Sequence, residues 1–86
     1  MGMKTNYSDM TKDQALDILV SRIEGKFPGV EGAKERAVLA KRSRASLIHS
    51  VGSQWYGDLS QADEQMCAYA YSEMTPAEKR EIDQAG

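Results

Sequence analysis

Apolar residues recur along this chain at helical spacing, and no stretch alternates with the two-residue period of a strand. Leu16, Leu19, Val20, Ile23 and Phe27 make one apolar stripe, while Asp13, Asp17, Arg22 and Glu24 lie mostly elsewhere and Ile18 falls outside it. Thr11-Lys12-Asp13-Gln14 has the form of a capping box, in which the Thr hydroxyl accepts from the third amide of the helix and Gln14 reaches back. These features predict a helix over about 11–25. Gly25 marks its end, and Lys26 to Gly32 reads as a loop because Pro28 biases Phe27 away from helical angles and glycines flank Val30.

Ala33 to Val51 is the longest helix-compatible run, and one uninterrupted helix is expected over about 33–53, its first 19 residues alone spanning roughly 28 Å. Ala33, Ala37, Ala40, Arg44, Leu47 and Val51 share one face, with Ile48 beside it; the alanines predict close helix approach. Val38 and Leu39 fall on the opposite face, to be packed under another segment or left exposed. Gly52 and Gly57 bracket Ser53-Gln54-Trp55-Tyr56, read as a turn or a frayed end. A third helix is expected over about 61–74, capped by Ser60, with a wide apolar arc from Ala62, Met66 and Tyr69 round to Cys67, Ala70, Tyr71 and Met74. Thr75-Pro76-Ala77-Glu78 announces a short last helix over about 76–84, with Thr as cap, Pro at the first helical position and Glu at the third. Residues 1–10 carry no periodicity and read as a flexible tail, in which Met1-Gly2 has the look of an expression scar. The fold class is therefore all-α: a small bundle of about four helices in a single domain over 11–86, without a β-sheet.

Composition narrows the class without changing it. With 86 residues, 41% apolar and 28% charged, the chain should fold, yet a domain this small buries only about 60% of the surface its unfolded form exposes. A net charge of −2 gives no strong overall attraction to nucleic acid or anionic membrane. The single Cys67 excludes an intramolecular disulfide framework and any Cys-based metal cage, and no apolar run approaches the roughly 20 residues of a membrane span. A cytoplasmic protein is expected, with no membrane partner.

Charge is divided between helices. Lys34, Arg36, Lys41, Arg42 and Arg44 stand against Glu35 alone in the central segment, whereas Asp58, Asp63, Glu64 and Glu73 between 58 and 74 face no Lys or Arg of their own. Antiparallel packing would let the two neutralise each other; otherwise one charged face stays open to steer a partner.

Catalysis is not expected. One histidine, one cysteine and no phosphate loop, nucleophile elbow or metal-ligand cluster are too few members for a catalytic constellation, and no cofactor or metal is implied. His49 reads as an ordinary surface or half-buried residue, and Cys67, in acidic surroundings, as a small core or interface residue. The segment Glu35 to Ser50 resembles a helix-turn-helix reader, whose Leu-Ala-Lys helix precedes a tight turn and a Ser-led recognition helix. It departs from that pattern at Arg44, where the family has a glycine, and at Ser50, where it has an apolar anchor, so the uninterrupted helix is preferred.

Aromatic residues and arginine are enriched in interface hot spots. Trp55, Tyr56 and Tyr71 are the candidate partner contacts, joined by Arg36, Lys41, Arg42 and Arg44; Trp55 could equally cap the core one turn beyond Val51. The function expected is a non-enzymatic protein-binding module that works by steric occlusion of a larger partner or by self-association as a homodimer. Small stand-alone helical proteins are common among phage- and plasmid-encoded inhibitors of host machinery, anti-CRISPR proteins included, and this is a class-level analogy only. The runner-up is a small nucleic-acid-binding regulator using the basic central segment.

Overall fold

A computed structural model of the chain describes residues 7–85, and it is all-helical. Among these residues the helices are α1 (Lys12–Lys26), α2 (Gly32–Leu39), α3 (Arg44–Gly52), α4 (Glu64–Glu73) and α5 (Pro76–Ala85), with short 3-10 turns at Tyr7–Asp9 and Leu59–Gln61. The bundle has five helices rather than four because the expected central helix breaks in two. A continuous helix advances about 100° per residue, which would set Leu39 and Ile48 on opposite faces. Both are buried in one core, and the turn between them brings them there without another element covering the opposite face of a single long helix. Local chemistry supplies the turn. Ser43 leaves helical angles (φ −71°, ψ 161°) and its hydroxyl accepts from the Ser46 amide, capping α3, while the Lys12 ammonium donates to the Ala40 carbonyl at 2.6 Å where α2 ends.

The break makes α3 the centre of the molecule, packed on α1 and α4, with Leu47 and Ile48 wholly buried. Leu16, Leu19, Val20 and Ile23 of α1 pack against it, as does Met66 of α4. Of the expected alanine seam only Ala40 packs, half-buried against the core; Ala33 and Ala37 are exposed on α2, as is Val38, while Leu39 from the opposite face is buried.

Three other boundaries move for identifiable reasons. Residues 7–10 belong to the fold: Met10 is 5% exposed in the core, and the Arg44 guanidinium ties the segment down through the carbonyls of Met10 (2.7 Å) and Tyr7 (3.1 Å). The remainder of the tail expected over 1–10, residues 1–6 with the Met1-Gly2 start, lies outside the described residues. The third helix begins at Glu64 rather than near Gln61, because Asp63, not Ser60, caps it by accepting from the amides of Gln65 and Met66. Its carboxylate also accepts from the Tyr7 hydroxyl. Phe27 leaves the stripe, since it sits just past the end of α1 and is 43% exposed. The capping boxes at Thr11 and Thr75 form as their local sequences predict.

Candidate functional site

The sequence Ser50 to Gly57 builds an unusual helix end. The Trp55 amide donates to the Ser50 carbonyl and the Gln54 amide to the Val51 carbonyl, both at 3.1 Å. This is the paired closure of a Schellman motif, which needs a left-handed residue after the cap. Glycine normally fills that position; here it is Gln54, with φ 59°. Tyr56 is left-handed as well, φ 62°. Bulky residues take such angles only when their surroundings hold them there, and strain of this kind clusters at functional segments.

The consequence is an aromatic surface. The Trp55 and Tyr56 rings lie 4.1 Å apart at 43°, and Phe27 meets Tyr56 edge-to-face at 5.4 Å. Tyr56 is half-buried against the core, while Phe27 and Trp55 stay exposed, Trp55 at 36%, so Trp55 is not a core cap. The Arg42 guanidinium lies 5.6 Å from the Trp55 ring centroid, a cation–π distance. Sequence reasoning missed Phe27 by counting it in the core stripe; the available signal was Pro28, which ends the helix before Phe27 can turn inward.

The basic candidates are largely held within the fold. Arg36 pairs with Asp17, and with Asp13 at 3.5 Å, so its carboxylates come from α1 rather than from the acidic helix. Arg42 runs along α3, donating to the Ser46 hydroxyl (2.8 Å), the Ser46 carbonyl (3.0 Å) and the Ser50 hydroxyl (2.7 Å). Burial lowers its pKa from the ordinary arginine value, opposed by Glu78 and Glu81. Arg44 pairs with Glu73 at 3.2 Å, and its pKa is raised first by the Tyr69 hydroxyl and further by Glu73. The division of charge is in these places internal architecture. Lys41 is exposed.

No family model, curated protein or solved structure matches the chain.

The break between α2 and α3 lies where the helix-turn-helix resemblance would put a turn, but a recognition helix needs a free face to enter a groove. None of the nine residues of α3 is exposed, and Arg42 and Arg44 are turned onto the protein itself. Tyr71 is also engaged: its hydroxyl donates to the Asp83 carboxylate at 3.1 Å and the Lys79 ammonium stands 5.5 Å over its ring, so α5 covers it. The hydrogen bond to Asp83 raises the Tyr71 pKa.

The two reactive residue types are poorly placed for chemistry. His49 is half-buried, its pKa lowered by burial and then by Arg42. Burial, with Asp63 and Glu64 adding, raises the Cys67 thiol above its ordinary value and keeps it protonated. Among the described residues no group of three or more His, Cys, Asp or Glu side chains could hold a metal ion. Among the described residues no helix is long and apolar enough to cross a membrane.

Proposed function

We propose that this domain is a protein-binding module that presents Trp55, Tyr56 and Phe27 to a larger partner and acts by occluding the surface it covers. The observation that carries this reading is the contiguous aromatic row Phe27–Tyr56–Trp55, displayed outward by two residues in left-handed conformations. Aromatic rings offer large contact area at low entropic cost, and a half-buried Tyr56 braced from both sides is pre-organised for binding. Arg42, held by α3 beneath Trp55, adds a fixed cation at the edge.

A photo-crosslinking amino acid at position 59, in the exposed turn after Tyr56, tests this in extracts of the native host. The expected result is one dominant covalent adduct, lost on Trp55→Ala while the circular dichroism spectrum and unfolding midpoint are retained. An adduct unaffected by Trp55→Ala and Phe27→Ala would refute the assignment. Sedimentation at several concentrations distinguishes self-association from capture of a larger protein.

A further inference from the structure

Beside the Gln54 turn lies an open cleft of about 640 Å³ that Trp55 does not line. Its size falls within the range of small-ligand sites. The apolar walls come from Met10, Ile18, Val51 and Met66, which explains why Ile18 stands outside the core stripe of α1: it belongs to a second face, one helical turn from Arg22. Arg22 lines the same cleft, and the side chains of Gln54, Gln61 and Gln65 complete it with neutral amides.

Arg22 differs from Arg36, Arg42 and Arg44. Arg36 and Arg44 each have a carboxylate, and Arg42 has three oxygen acceptors with Glu78 and Glu81 near by. Among the described residues, Arg22 has one hydrogen bond, to the Val51 carbonyl at 3.2 Å, and no ion pair. A half-buried guanidinium with five N–H donors and no counter-ion gives up hydration without full recompense. Consistent with that, burial alone shifts its pKa, downward. Asp63 also borders the cleft, but its carboxylate accepts from the Tyr7 hydroxyl and from the Gln65 and Met66 amides at the positive end of α4, which offsets its charge there.

We infer that this cleft is a binding site for a small monocarboxylate with a compact apolar body, its carboxylate forked by Arg22 and its body against Ile18, Val51 and Met66. Planar carboxylates match the guanidinium fork, and the amides of Gln54, Gln61 and Gln65 can donate to the remaining oxygen lone pairs. The site is separate from the aromatic surface and stands whether or not that surface binds a protein.

The test is NMR titration of the whole chain with benzoate, using benzamide as the neutral analogue of the same shape. Benzoate should bind at least about tenfold more tightly than benzamide, a difference of about 1.4 kcal/mol. It should also shift the Arg22 Nε–H and the side-chain amides of Gln54, Gln61 and Gln65. Arg22→Gln should reduce benzoate to the benzamide level. Because that change also removes the bond to Val51, Ile18→Glu provides a second variant that keeps Arg22 and sets a carboxylate one turn away to exclude the ligand. Trp55→Ala should leave benzoate binding unchanged. Equal affinity for the two probes, shifts centred on Lys41 or Arg80, or undiminished binding in folded Ile18→Glu would overturn the inference.

Discussion

A single added methyl group at Gly52 should destabilise the whole bundle. Gly52 ends α3 against Met66 of α4, and its carbonyl accepts from the Asp63 amide at 2.7 Å. A Cβ there would stand 2.9 Å from Met66 Cγ and 3.0 Å from both Met66 Cβ and Sδ. Met66 is 6% exposed, and its Cβ is fixed to the backbone of α4, so rotation of the thioether end does not relieve the contact. Two effects compete. Replacing glycine by alanine in a helix gains up to about 1 kcal/mol of propensity, and less at a last residue. Overpacking a close contact costs about 1–3 kcal/mol. Sterics win, and Gly52→Ala should lose about 1–2 kcal/mol, which for a domain of this size lowers Tm by roughly 5–15 °C. Urea unfolding followed by far-ultraviolet circular dichroism reads this as a lower midpoint at unchanged m-value. Met66→Ala alone should cost about 2–5 kcal/mol, but in the Gly52→Ala background the new methyl occupies part of the vacated space, so the two losses should fall short of their sum by about 1 kcal/mol. A Gly52→Ala protein as stable as the parent, or strictly additive losses, would refute the close approach.

The left-handed Gln54 predicts the opposite sign for another glycine: Gln54→Gly should stabilise by about 1 kcal/mol, seen as a higher urea midpoint. Arg44→Met removes the bonds to the carbonyls of Tyr7 and Met10 and the pair with Glu73, and should cost about 2–3 kcal/mol, with amide exchange accelerating first at Met10; Arg44→Lys should restore less than half of the loss because it lacks the fork. His49 has a native pKa below its ordinary value, so between the two values the unfolded chain binds more protons. Its contribution is present above about pH 6.5 and is lost as pH falls through the native pKa; His49→Gln should flatten that part of the stability–pH curve.

Much of the fold is legible in single stretches of sequence. Thr11 with Gln14 and Thr75 with Pro76 and Glu78 place two helix starts because a cap and its amide lie three residues apart and need no tertiary help. The stripe Leu16, Leu19, Val20 and Ile23 identifies the buried face of α1 because a helix fixes which side chains share a side. The all-helical class follows from the same period. Trp55 and Tyr56 could be singled out as contact candidates from residue type alone.

The rest was decided between distant residues. Lys41-Arg42-Ser43-Arg44 is compatible with a continuous helix or a turn, and the turn lets one core bury both Leu39 and Ile48. Phe27 meets Tyr56 across 29 positions of sequence, and neither residue carries a local mark of the other. The fates of Arg36, Arg42 and Arg44 likewise depended on which acceptors the packing brought within reach: Asp17 and Asp13 for the first, serine hydroxyls for the second, two carbonyls and Glu73 for the third. Arg22 is the same residue type in a different environment, an open cleft where it has no ion pair among the described residues. Sequence determines what lies within a helical turn, because backbone geometry fixes those distances in advance; which charges are neutralised, which aromatics stay outside and where space is left open are properties of surfaces that exist only once the helices have packed.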